Sequence, residues 1–218
     1  MSTYPLPQQE PQGAQESVAL QAPAHEAHHA ALGVDSKKIG MWLFIASDCM
    51  FFGALIGTYL IYAGKSTVGP YPQDLFDIPL TTVSTFILLM SSLAMAMAVH
   101  GAQHGDMKKL KRWLGLTILM GLTFLGFQVY EYSHFIAAGL TLSRNLFGTT
   151  FYVLTGTHGV HVALGVLWLT LLFITALRGD TKRVNPVNVE IAGLYWHFVD
   201  IVWIVVFAVV YLMADVAA

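Results

Sequence analysis

The chain has 218 residues with 11 Lys or Arg and 13 Asp or Glu, so charged side chains make up 11% of it, against roughly 25% in an ordinary soluble domain. Hydrophobic residues supply 56% and the net charge is -2, which excludes a soluble enzyme, a disordered chain and a nucleic-acid binder with a basic footprint. The single cysteine, Cys49, excludes an intrachain disulfide framework and a four-cysteine zinc site.

Residues 1–36 read as a mobile tail. They carry Pro5, Pro7, Pro11 and Pro23 and the patch His25, His28 and His29, and no apolar run follows a basic start as in a signal peptide. Metal capture or proton buffering by those three histidines is the sharper alternative, weakened by the lack of a fixed scaffold. Residues 37–215 form the membrane domain. A helix needs about 20 apolar residues to cross a hydrocarbon core about 30 Å thick. Five such stretches follow, approximately 39–63, 79–100, 113–138, 147–177 and 189–213. None shows the alternation of an outer-membrane barrel strand. The expected fold class is all-α, an integral membrane five-helix transmembrane bundle. Short loops make sequential helices antiparallel neighbours.

The flanking bases set the expected orientation. Lys37, Lys38, Lys108, Lys109, Lys111, Arg112, Arg178, Lys182 and Arg183 fall on one side, and Lys65 and Arg144 on the other. Cytoplasmic loops hold the excess of bases, which places the N-terminus inside and the C-terminus outside.

Ionisable groups within spans are costly and should face protein, water or a partner. The first span has Asp48, the third Glu131 and His134 with the polar but uncharged Gln128 nearby, the fourth His158 and His161, and the fifth Glu190, His197 and Asp200. Glu190, Gly193, His197, Asp200 and Ile204 step by three and four and share one helical face. That face serves either as a proton relay or ligand seam, or as interhelical hydrogen bonding that holds the bundle. Asp48 and His197 lie at similar depth, so a carboxyl–imidazole pair between spans is sterically allowed. His158 and His161 are one turn apart. Bis-histidine haem would need facing residues on two helices, so no metal-ligating set is expected. Gly156, Gly159, Ala163 and Gly165, and the Gly53/Gly57 pair, point to close helix packing.

Four ordered motifs carry a resemblance. They are Lys38-Ile39-Gly40-Met41-Trp42-Leu43-Phe44 with Ser47-Asp48 and Phe51-Phe52, then Gln128-Val129-Tyr130-Glu131-Tyr132, then Gly156-Thr157-His158-Gly159-Val160-His161-Val162, and finally Tyr195-Trp196-His197-Phe198-Val199-Asp200-Ile201-Val202-Trp203. Over residues 37 to 213 the chain resembles subunit III of the haem-copper terminal oxidases, in its five-helix form. The resemblance implies a non-redox accessory subunit of a proton-pumping oxidase that reduces dioxygen to water. This chain would bind no cofactor itself, with haem and copper in partner subunits. Subunit I would be its main contact, joined by subunit II and with a small subunit IV as a further candidate. Supporting proton uptake, protecting the catalytic subunit from turnover inactivation, binding structural phospholipid and guiding dioxygen are the roles the resemblance implies. The family's intramembrane carboxylate, often Glu, falls on Asp48. Lipid headgroups would be held by Lys108, Arg112, Arg178 and Lys182, with Trp42 and Trp113 at the interface. The location implied is a bacterial cytoplasmic membrane. The cytochrome c type is favoured over the quinol type. A small transporter working through Asp48, Glu131, His197 and Asp200, and a b-type cytochrome, are the rivals from other classes.

Overall fold

The computed structural model describes residues 35–66, 69–70, 76–179 and 184–213. Two units divide the chain, residues 1–39 and 40–218. The tail expected over residues 1–36 lies outside the described residues except for Asp35 and Ser36, and Ser36 already opens the first helix. His25, His28, His29, Lys182 and Arg183 also lie outside the described residues.

The described residues form helices α1 (Ser36–Tyr62), α2 (Ile78–Gln103), α3 (Met107–Ala137), α4 (Leu146–Leu177) and α5 (Pro186–Phe207), and α5 runs on into a π-helical turn, Ala208–Leu212. All five are long and apolar enough to cross a membrane. At about 1.5 Å per residue the 32 residues of α4 extend about 48 Å, well past the hydrocarbon thickness.

Local chemistry explains the boundaries. Asp77, Asp106, Asn145 and Asn185 cap α2 to α5 by accepting from backbone N–H groups two or three residues on, and Pro186 starts α5. At two of the ends, Gly105 and Gly139 take φ of 70° and 88°. There the chain closes a Schellman turn, with Asp106 N–H on Gly101 O and Leu140 N–H on Phe135 O, each at 2.9 Å.

In the unit 40–218, α2, α3, α4 and α5 close a four-sided ring in which α2 packs on α3, α3 on α4, α4 on α5 and α5 back on α2. The α2–α3 hairpin is drawn tight at Gly101, where a Cβ would stand 2.9 Å from Leu110 N. The α5 span is the most enclosed, with 56% of its apolar window buried, and α1 the least, with 11%. That contrast corrects the expectation that sequential helices are neighbours throughout. The α1 helix has no close backbone pairing with α2 of the kind the ring helices share. It leans instead on α4 and α5 through side chains: Phe44 on Tyr195, Phe52 on His161 and Phe198, and Tyr59 on Phe147. The long 63–77 connection permits this, because it does not force a hairpin.

The small-residue expectation is also corrected in part. Gly159 and Gly165 do admit close neighbours, Gln128 and Trp196 respectively. Gly53 and Gly57 face nothing within 4 Å, Gly156 has only ordinary contact distance to Tyr132, and Ala163 is exposed.

A buried polar seam and an apolar cavity

Because α5 is the most enclosed helix, its polar groups must find partners on its neighbours. The Trp196 indole donates to Ser91 Oγ at 2.9 Å and the Trp203 indole to Thr85 Oγ1 at 3.0 Å, so two hydrogen bonds tie α5 to α2 through the centre of the ring. His197 Nδ1 meets Ser92 Oγ at 2.6 Å, again on α2. Gly193 lies against Val99 and Met95, so the α5 face read from the sequence does pack on α2. The face drifts off at Ile204, which is 45% exposed. Glu190 is half-buried near the start of α5. Asp200 is 2% exposed, and neither carboxyl oxygen has a hydrogen bond of ordinary geometry, although the Ser92 side chain is close enough to interact with it.

His158 is wholly buried. Its Nε2–H donates to Val199 O at 3.1 Å, its ring lies 4.7 Å from that of Trp203, and its Nδ1 is left without a partner. Gln128 donates to Thr155 O at 2.9 Å, and Tyr132 shares a 2.7 Å hydrogen bond with Thr155 Oγ1, joining α3 to α4. Toward the 63–77 end, the Thr81 hydroxyl donates to buried Glu131. A small pocket of about 90 Å3 lined by Asp77, Tyr130, Glu131 and His134 opens beside it.

Asp48 and His161 meet on the α1 side. His161 Nε2 is 3.4 Å from Asp48 Oδ2, while His161 Nδ1 sits 2.8 Å from Thr157 O. A carbonyl oxygen only accepts, so Nδ1 carries a hydrogen. Nε2 and the carboxyl oxygen therefore face one another, and a single proton between them is needed to make the contact attractive. The proton makes either an imidazolium–carboxylate pair or a neutral acid beside a neutral ring. Tyr195 Oη–H donates to His161 O at 2.9 Å, and the Phe52 ring stands edge-on to that of His161 at 5.1 Å. Asp48 thus pairs with a histidine of another span, and that histidine is His161 rather than His197.

Between α1 and α5 lies an apolar cavity of about 400 Å3, with His197 and Cys49 among walls that include Trp42, Phe52, Phe198 and Val202. At the 104–106 end, Arg112 and Trp113 line a groove of about 350 Å3 with Leu116 and Leu119. Lys108 and Arg178 are exposed at the same end.

Haem does not fit these residues. The imidazoles of His158, His161 and His197 are directed to Val199, Asp48 and Ser92 respectively, not to one another. Among the described residues no three His, Cys, Asp or Glu converge on one point. The residues that sequence reasoning passed over are the small hydroxyls of α2. Thr81, Ser84, Thr85 and Ser91 are all buried, and their spacing of three, one and six places them on the stripe that also carries Leu88, Met95 and Ala98. That pattern was visible, but in a span without charges it reads as uniformly apolar.

An all-helical integral membrane protein thus emerges, with polar side chains paired between its helices and an outlying first helix. The cytochrome c oxidase subunit III model matches residues 17–215, and the chain belongs to that family, whose members are subunits of haem-copper oxidases. Cytochrome c oxidase subunit 3 of Bacillus sp. (strain PS3) is 38% identical over 194 residues, covering 89% of this chain and 94% of that one. The same subunit of Bacillus subtilis (strain 168) is 37% identical, covering 83% and 88%. The cytochrome bo(3) ubiquinol oxidase subunit 3 of Pseudomonas aeruginosa is also 37% identical, covering 87% and 90%.

Proposed function

We propose that the chain serves as the accessory subunit III of a bacterial cytochrome c oxidase, seated against subunit I in the cytoplasmic membrane with its N-terminus inside. The observation that carries this is the outlying α1. It leaves Trp42, Leu43, Met50, Phe51 and Ile61 between 46% and 80% exposed, while its one buried carboxyl, Asp48, is turned inward to His161. Such a helix offers an apolar flank to a partner and keeps its polar chemistry for its own bundle. The haems and copper belong to the partner subunits, and this chain's work is to hold the catalytic subunit, its lipid and its proton supply in order. The bases of the 104–106 end support the inside-facing orientation, and Arg112 beside an apolar groove suits a phospholipid headgroup above its acyl chains. Subunit II, and a small subunit IV, would complete the assembly.

Quinol oxidase subunits are as similar to this chain as cytochrome c oxidase subunits are, so the quinol type is the second reading. The Tyr195–Asp200 motif leans toward the cytochrome c type and Ser47-Asp48-Cys49 toward the quinol type, and of the two the cytochrome c type is favoured. Purifying the tagged chain in mild detergent tests the whole reading: subunit I and its haem spectrum should come with it, and their absence overturns it. Oxygen uptake by that complex with reduced cytochrome c or with a quinol then separates the two types.

A further inference from the structure

The sequence His100-Gly101-Ala102-Gln103-His104 places two imidazoles four residues apart where α2 ends, His100 on its last turn and His104 at its C-cap. Their ring centroids are 4.1 Å apart, and both side chains are exposed. His104 Nδ1 lies 2.9 Å from His100 O. The carbonyl only accepts, so Nδ1 carries the hydrogen and Nε2 of the neutral ring holds its lone pair outward. That backbone hydrogen bond is the arrangement that orients histidines as metal ligands. The His100 ring makes no hydrogen bond to the described residues.

We propose that His100 and His104 form a bidentate site for an exchangeable divalent transition ion of the zinc, copper or nickel class. Two nitrogens about 2.0–2.1 Å from a tetrahedral ion stand about 3.3 Å apart, which exposed rings at this spacing reach by a small rotation. The scaffold behind them is closely packed. Gly101 admits Leu110 N where a Cβ would stand only 2.9 Å away, and the turn through Gly105 is closed by Asp106 N–H on Gly101 O. The neighbouring carboxylate is already engaged and is not offered to a hard cation. Asp106 is occupied by the backbone of Lys108 and Lys109 and by the Lys109 ammonium at 3.4 Å, and Lys108 adds positive charge. An ion bound here must gain its affinity from imidazole nitrogen, as borderline metals do and calcium or magnesium do not. No third His, Cys, Asp or Glu among the described residues completes the set, so water fills the remaining positions and the ion exchanges.

Zinc titration of the full chain in detergent, followed by calorimetry, tests the site. His100→Gln and His104→Gln should each weaken one binding event by about tenfold or more, and the double substitution should weaken it little further, because a chelate acts as a unit. Singles within twofold of wild type, or a wild type that binds no zinc, overturn the proposal. Removing residues 1–34 separates this pair from the other histidines. The event should survive, and its complete loss on that deletion overturns the proposal. Copper(II) provides a second readout, a two-nitrogen hyperfine pattern that both substitutions abolish, and helical circular dichroism unchanged from wild type shows that they fold.

Discussion

Asp48 Oδ2 stands 3.4 Å from His161 Nε2, with the far ring nitrogen of His161 already donating to Thr157 O. Nε2 and the carboxyl oxygen therefore face one another across the contact of α1 with α4. In Asp48→Asn the amide still donates to a neutral Nε2, so the chain should fold and assemble as before. The ionisable carboxyl is gone, and the oxidase complex should inactivate several-fold faster during turnover. Decay of oxygen uptake over successive turnovers measures this, and an unchanged lifetime assigns Asp48 a purely structural role. His161→Ala instead leaves a carboxyl unpaired and should lower stability by about 1–3 kcal/mol in denaturant unfolding.

Gly159 admits the Gln128 side chain, whose Oε1 would be 2.6 Å from an added Cβ. The Gln128 amide is buried and donates to Thr155 O, so it cannot swing aside freely. Gly159→Ala should cost about 1–3 kcal/mol. Adding Gln128→Ala should recover part of that, giving a double-mutant coupling that two independent sites would not show.

Asp106 lies outside the spans and caps α3. The backbone N–H of Lys109, aided by the Lys109 side chain and the Lys108 N–H, holds its carboxyl below the ordinary carboxylate value of 3.8. A carboxyl lowered in the folded state stabilises fully above its unfolded pKa and loses that contribution as pH falls through the folded value. Asp106→Asn keeps a capping oxygen without the charge. The wild-type advantage in thermal midpoint should be constant from neutral pH down to about 4 and shrink below it. An advantage that does not change with pH would show that the charge contributes nothing.

Arg112 borders the groove that Trp113, Leu116 and Leu119 line. Arg112→Ala should reduce the phospholipid retained by the purified chain, counted by native mass spectrometry, without loss of helix content. Unchanged retention would move the lipid site to Arg178 or elsewhere.

How much of this was legible in the sequence depends on the range of the interaction. Five apolar stretches, their capping Asp and Asn residues and the glycines after them are local features, and a bilayer requires every backbone group to be satisfied within its own helix. That local rule is why composition alone defined an all-helical membrane protein, and why the polar residues Asp48, Gln128, Glu131, His158, His161, His197 and Asp200 stood out as the groups that need partners. Which partner each one found was not local. Asp48 turned to His161 rather than to the histidine at matching depth, His197 took Ser92, and Glu131 took Thr81, because α1 leans on α4 and α5 while α2 closes the ring against α5. Helix periodicity says which residues share a face, but not the rotation at which that face meets its neighbour. That rotation came from close packing at Gly101, Gly159 and Gly165 and from the indoles of Trp196 and Trp203, and only the folded bundle brings those contacts together.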